Sequence, residues 1–276
     1  MAIKQREFAY TRDDFNVLRK LSNDYSGILV PDDKFDMFYS RLSRRLRILG
    51  FSSFKEYCQH LQQHSDLEFT EFINAVTTNL TSFFRENHHF EYLRDQVIPE
   101  LLKKNNQQRT LKVWSAGCST GEEPYSIAMT LLEYLPSGWN VKILATDLDT
   151  HVLATAAAGT YSADRVDGLP ETILKRWFMR GKGAQQNRVR IKQELRQLVT
   201  FKQLNLMGEW PMKNLFDVIF CRNVLIYFDR ETKQTLARRY ADLLPGGACL
   251  FLGHSESLHQ LSTDFRLIGN TIYRKN

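Results

Sequence analysis

Glu122 and Glu123 directly follow a small-residue turn, Gly117-Cys118-Ser119-Thr120-Gly121, which joins the apolar run Leu111 to Ala116 to a helical pattern reaching Leu135. Strand, glycine turn and helix is the arrangement in which many nucleotide sites begin. Phosphate would call for GxxxxGK[ST] or GxGxxG with helix amides aimed at an anion, and neither pattern occurs. Paired acids place negative charge where phosphates would sit, so a ligand carrying cationic groups fits better. Taken alone, the acids are equally well explained as partners of the helix dipole.

A further acid weighs against that plainer explanation. Asp147 closes the apolar run "VKILATD" at the carboxyl edge of a sheet, at the distance from the glycine turn from which an acid reaches a ribose hydroxyl. Ribose recognition without pyrophosphate recognition, combined with acids for a cation, describes S-adenosylmethionine. Asp149, two residues on, reads as the cap of the helix that starts at Thr150. A third run, "FDVIFC", leads into Arg222 and Asn223 and brings them, with Tyr227, toward the same edge. An asparagine amide suits adenine, whereas a tyrosine in such a place more often packs into a core. His88 and His89 are neighbours on a helix pattern with no third ligand in view, so no metal site is expected.

The elements that must position these residues fall into two kinds. From about residue 10 to 80 the spacing is helical: Phe15, Leu18 and Leu21 recur before Gly27, and Phe38, Leu42, Leu46 and Leu49 line one face before Gly50. Arg41, Arg44 and Arg45 lie on the edge or opposite side of that second helix. After residue 111, short apolar strands alternate with helices, the mark of an α/β fold with a mainly parallel sheet. "FRLIG" and "TIYRKN", split by Gly269-Asn270, close the sheet with an antiparallel hairpin. Between "HVLATAAAG" and "LVTFKQL" the connection is far longer than needed, and Arg188-Val189-Arg190-Ile191-Lys192 alternates within it. A small antiparallel insertion at about 172–198 is expected, inside a second domain of residues 91–276 that follows a helical domain of residues 1–90.

Hydrophobic residues at 43% and charged residues at 25% describe a globular chain rather than a disordered one. No apolar run approaches the roughly 20 residues that span a bilayer, and the start of the chain lacks a signal-peptide pattern, so a cytoplasmic protein is expected. Cys58, Cys118, Cys221 and Cys249 form no CxxC pair and are expected as reduced thiols. A net charge of +6 favours an acidic partner without choosing among nucleic acid, lipid headgroups and acidic protein.

Four stretches taken in order, "TTNLTSFFRENHHF", "WSAGCSTGEEPYSIAM", "ATDLD" and "FCRNVLIYFD", with "LPGGACLFLGHSES" behind them, resemble the chemotaxis receptor glutamate O-methyltransferases, the CheR family. The likeness runs from about residue 10 to 275. It implies a class I S-adenosylmethionine-dependent methyltransferase: a Rossmann-like, mostly parallel sheet with an antiparallel end, an N-terminal helical domain and a small antiparallel β insertion. By position in the matching motifs it assigns cofactor contacts to Asn79, Thr81, Arg85, Glu122, Asp147, Asn205, Leu206, Arg222 and Asn223. Arg85 then suits the methionyl carboxylate and Glu122 the methionyl ammonium. Tyr227 is placed in the methyl pocket or at the substrate carboxylate. The implied partner is the cytoplasmic domain of methyl-accepting chemotaxis receptors, met by Arg41, Arg44 and Arg45. In some relatives the insertion also holds a peptide from the receptor's C-terminus, and the strand carrying Arg188 and Arg190 is expected to accept it by edge addition. A monomer is expected, with no nucleic-acid partner and no insertion into the membrane. The competing readings are a nucleic-acid methyltransferase, which would normally show an NPPY-type sequence, and a non-catalytic receptor-binding adaptor, which intact Arg85, Glu122, Asp147 and Asn223 argue against.

Overall fold

The computed structural model describes residues 6–63 and 67–276. Its contacts divide the chain into two compact units, one running to Thr78 and taking in Tyr227–Asp229, the other comprising Asn79–Ile226 and Arg230–Asn276. Among the described residues no helix is long and apolar enough to cross a membrane.

The first unit is helical: α1 (Arg12–Ser26), α2 (Phe35–Leu49), α3 (Phe54–Gln63) and α4 (Leu67–Val76). A capping box starts α1, with Asp14 N–H donating to the Thr11 hydroxyl at 3.1 Å and Thr11 N–H to the Asp14 carboxylate at 2.8 Å. Gly27 and Gly50 end α1 and α2 in left-handed conformation, φ 72° and 75°, as their sequence positions predict. The apolar faces meet in a core of Phe15, Leu18, Phe38, Leu42, Phe54 and Phe72.

Most arginines of α2 are committed within this unit. Arg41 donates to the carbonyls of Val76 (3.0 Å) and Thr77 (2.5 Å), answering the open C-terminal end of α4. Arg45 is paired with Glu68 and, at 3.2 Å, with Glu71, while the Tyr57 hydroxyl donates to Glu68 at 2.8 Å. Arg44 remains exposed.

The second unit opens with α5 (His88–Tyr92), a π turn and α6 (Ile98–Lys104), then alternates: β1 (Thr110–Ala116), α7 (Glu122–Tyr134), β2 (Asn140–Asp147), α8 (Thr150–Ala158). The insertion holds β3 (Thr160–Ser162), α9 (Glu171–Trp177), β4 (Phe178–Arg180) and β5 (Arg188–Ile191). After α10 (Gln193–Arg196) come β6 (Val199–Gln203), β7 (Val218–Cys221), α11 (Arg230–Asp242), β8 (Cys249–Leu252), β9 (Phe265–Gly269) and β10 (Ile272–Lys275). The main sheet has seven strands in the order β6-β2-β1-β7-β8-β10-β9. Its first five strands run parallel, and β10 pairs antiparallel with both β8 and β9. Strands buried on both faces explain the nearly unbroken apolar runs of β7 and β8.

Three features differ from the sequence expectation. The units divide after Thr78 rather than near residue 90, because the intervening segment is bonded into the second unit: Ser119 Oγ donates to the Asn79 carbonyl and Phe84 N–H to Ser126 Oγ, both at 3.0 Å. Phe83 and Phe90 also join the second unit's core. The small sheet begins at Thr160, before the expected 172, since β3 supplies one of its three strands. Finally, β5 is the central strand, in the order β3-β5-β4, so both edges of the Arg188–Ile191 segment are already bonded. A peptide added to this sheet must therefore pair with β3 or β4. The alternation predicted for β5 does hold, with Arg188 and Arg190 exposed over buried Val189 and Ile191.

Replacing Arg45 by alanine leaves Glu68 largely buried without its cation. Arg45→Ala is expected to lower protection of α2 and α4 amides against hydrogen exchange by about 1–3 kcal/mol, and Arg44→Ala to leave it unchanged.

Candidate active site

At the carboxyl end of β1 the chain turns tightly, with Gly117 and Gly121 at φ 92° and 96°. Gly117 N–H and Cys118 N–H both donate to the Thr146 carbonyl, at 2.8 and 2.9 Å, which folds the turn over the end of β2. A Cβ at Gly121 would lie 2.8 Å from Ala156 Cβ and 3.1 Å from the Tyr161 hydroxyl, so backbone conformation and space both demand glycine. Gly121 is followed by α7, whose first residues are the two acids.

These acids have different tasks. Glu122 is fully buried, accepts from Thr120 Oγ1 at 2.6 Å and is paired with Arg165. The same Arg165 nitrogen donates to the Thr81 carbonyl at 3.0 Å, so Thr81 and Glu122 meet around one guanidinium. Glu123 instead accepts from Ser115 Oγ at 2.7 Å and pairs with Arg222 at 3.2 Å beneath the turn, where burial pushes its carboxyl up. Asp147 accepts from Ser119 N–H at 2.7 Å and Asp149 N–H at 3.0 Å. Those bonds use one lone pair on each oxygen and leave acceptor capacity for a ribose diol. Burial pushes the Asp147 carboxyl up to about 6, against the opposing effect of the backbone donors. Asp149 caps α8 through His151 N–H (2.8 Å) and Val152 N–H (3.3 Å), as its position predicts, and Asn79 Nδ2 donates to it at 2.7 Å.

Arg85 donates from Nη1 to the Leu80 carbonyl at 2.8 Å. Arg222, expected among the ligand contacts, turns its side chain inward. Its guanidinium pairs with Glu86 and Glu123, each at 3.2 Å, donates to the Arg85 carbonyl and lies 5.5 Å from the Phe90 ring centroid. Its side chain is scaffold, which leaves only its backbone for a ligand. Asn223 sits in left-handed conformation, φ 59°, within 3.4 Å of Glu86 through Nδ2. Asn205 accepts from Met207 N–H at 3.0 Å in the turn after β6, and the Leu206 carbonyl accepts from Trp210 Nε1 at 3.2 Å. Leu204 N–H donates to the Asp147 carbonyl at 2.9 Å and holds that turn beside the end of β2. Tyr227 falls in the helical unit, where its carbonyl accepts from Leu29 N–H at 2.8 Å.

Two acids that sequence reading gave no role organise this edge. Glu256, almost fully buried, accepts from the N–H groups of Asn223 (2.9 Å), Val224 (2.8 Å), Ile226 (3.2 Å) and Gly253 (2.5 Å). Glu86 binds Arg222 and, at 2.7 Å, His254. The only sequence signal for them is an acid within each of two quoted motifs, "FFREN" and "GHSES". His88 and His89 meet the Asn270 carbonyl at 3.3 and 3.1 Å, a packing role.

The donor set suits S-adenosylmethionine: carboxylates at the ends of β1 and β2, a guanidinium on the segment before α5, and amides after β6 and β7. A seven-stranded sheet in this order, with acids in place of a phosphate loop, defines a class I S-adenosylmethionine-dependent methyltransferase. Residues 79–274 match the CheR methyltransferase SAM-binding domain and residues 13–77 the CheR methyltransferase all-alpha domain; the chain belongs to this family. It is 46% identical to chemotaxis protein methyltransferase 2 of Pseudomonas aeruginosa, over 97% of this chain and 95% of that one. It is 45% identical to the chemotaxis protein methyltransferase of Escherichia coli, over 94% and 89%.

Because the folded-state value of Asp147 lies above that of a free carboxyl, its contribution to stability is full at low pH and is lost as pH rises through about 6. Ribose binding needs the ionised acceptor, so cofactor affinity is expected to rise several-fold between pH 5 and 7.5. Titration calorimetry checks this, and Asp147→Asn should both weaken binding and flatten the dependence.

Proposed function

We propose that this enzyme transfers the methyl group of S-adenosylmethionine to glutamate side chains in the cytoplasmic domain of methyl-accepting chemotaxis receptors, forming methyl esters that serve sensory adaptation. Membership of a family whose relatives are named chemotaxis protein methyltransferases carries the reading. The chemistry agrees with it. When bound, the cofactor supplies an electrophilic methyl on a sulfonium sulfur. A glutamate carboxylate, with an ordinary pKa near 4.3, is already ionised at neutral pH and needs no general base. The protein's task is then to hold the two reactants in line, which in favourable intramolecular cases supplies roughly 7–11 kcal/mol. Glu122 and Arg85 are assigned the ammonium and carboxylate of the methionyl group, Asp147 the ribose, and Asn205 with Asn223 the base. The finished step breaks the S–CH3 bond, forms an O–CH3 bond and returns the electron pair to sulfur, with no proton transferred.

The enzyme acts in the cytoplasm as a monomer in this reading. Arg44 and Lys55, both exposed, offer charge to an acidic receptor helix, whereas Arg41 and Arg45 support the helical unit. A receptor C-terminal peptide would add to the β3 or β4 edge, with Arg188 and Arg190 on the exposed face of the same small sheet.

Tritiated methyl transfer to receptor-containing membranes, followed by mild base, tests the activity. Release of volatile methanol from the receptor band is the expected outcome; base-stable label on nucleic acid would overturn the assignment. Tyr227, four positions beyond Asn223 in the sequence, is proposed to orient the acceptor carboxylate. Tyr227→Phe should then lower turnover about tenfold or more with cofactor affinity unchanged, and normal turnover would refute that role.

A further inference from the structure

The strand β8 ends at Leu252, and the chain continues through Gly253 to His254 beside the end of β7. Contact between these two strand ends is close: a Cβ on Gly253 would lie 2.5 Å from Asn223 Nδ2 and 2.7 Å from Asn223 N. His254 therefore stands at the carboxyl edge of the parallel strands, where open α/β sheets receive their ligands. Its side chain is 66% exposed, yet its Nδ1 is held at 2.7 Å by Glu86, which is only 11% exposed. Glu86 also pairs with Arg222 and approaches Asn223 Nδ2 at 3.4 Å, and it follows Arg85 directly in the chain. The imidazole is thus anchored to the same carboxylate that fixes the residues assigned to the cofactor, while Nε2 is left for another partner. Burial pushes the Glu86 carboxyl up, but the His254 hydrogen bond and the Arg222 charge outweigh it and bring the pKa down to about 2, so a charged carboxylate faces the ring at neutral pH.

We propose that His254 is a substrate-positioning residue, whose imidazolium, anchored through Nδ1 to Glu86, donates from Nε2–H to one oxygen of the acceptor glutamate carboxylate and leaves the other oxygen to attack the methyl. An imidazolium donates from both ring nitrogens, which lets it join a protein carboxylate to a substrate carboxylate. Neutralising part of the acceptor's charge weakens its nucleophilicity slightly; in exchange the reacting oxygen is held in one place, which is the larger effect in a reaction limited by orientation. His254 is bonded to Glu86 and to none of the residues assigned to the cofactor, so its replacement can separate substrate binding from cofactor binding.

This inference rests on the receptor-methylating reading above, and wild-type protein serves as the control for that reading. If wild-type enzyme forms no base-labile ester on receptor, that reading fails first. Given wild-type activity, His254→Ala and His254→Gln are compared by receptor-dependent initial rates, cofactor calorimetry and melting temperature. Both variants are expected to lower kcat/KM for receptor about tenfold or more, mainly through KM, with cofactor affinity unchanged and, in His254→Gln, the melting temperature unchanged as well. A residue that merely covers Glu86 would behave otherwise, since a glutamine amide can also donate to that carboxylate. Full activity in His254→Gln, or a loss of cofactor affinity in either variant or of thermal stability in His254→Gln that accounts for the lost rate, would overturn the proposal.

Discussion

A guanidinium almost without solvent, that of Arg222, imposes the strongest constraint on the ligand edge of the sheet. Such a charge is tolerated only where carboxylates and carbonyls answer it, and removing one partner of a buried pair typically costs about 3–5 kcal/mol. Glu86, Glu123 and the Arg85 carbonyl supply the answer, and they come from two separate stretches of chain. Arg222 consequently binds the segment after Asn79, the first turn of α7 and the end of β7 into one floor. Part of the requirement is visible in the backbone, because Phe84 and Glu86 adopt φ of 52° and 55°, conformations that non-glycine residues rarely take. Local strain of this kind persists only where the surroundings over-determine it, as a buried ion pair and a packed aromatic pair do here.

The acids along this edge divide their work. Glu122 and Asp147 stand at the ends of β1 and β2 with acceptor capacity for a ligand, whereas Glu86, Glu123 and Glu256 shape the protein itself. Glu256 does for the backbone what Glu86 does for side chains: four N–H groups converging on one carboxylate hold Asn223 in its left-handed conformation and lock β7 to the turn after β8. Without that clamp, four donors at the rim of the sheet would need water as their partner.

Much of this was legible in the sequence. Strands buried on both faces write themselves as short apolar runs, and Gly27 and Gly50 mark helix ends whose residue type follows from local conformation alone. The capping role of Asp149 was legible for the same reason. What escaped were side-chain partners and strand positions decided by residues distant in the chain. Nothing near Arg41 or Arg45 announces α4 as their destination, and nothing near Arg222 announces Glu86 and Glu123 as the partners of its guanidinium. The central place of β5 depends on β3, three residues long and too short to show a period. The segment from Asn79 to Phe90 has no regular pattern, so only its bonds to Ser119 and Ser126 assign it to the second unit.

The insertion is joined to the glycine turn before α7 by side chains, with consequences for how the two can move. The Tyr161 hydroxyl, on β3, donates to the Thr120 carbonyl at 2.8 Å, and Arg165, just beyond β3, reaches both Glu122 and the Thr81 carbonyl. Gly121 is packed against the same tyrosine with no room for a methyl group. A displacement of β3 relative to the main sheet would therefore break three polar contacts and open a close-packed glycine contact at once. Interfaces of this kind shift between discrete arrangements or not at all. The small sheet and the turn that carries Glu122 consequently behave as one body, and any strand that pairs with the β3 edge is held at a fixed distance from Glu122.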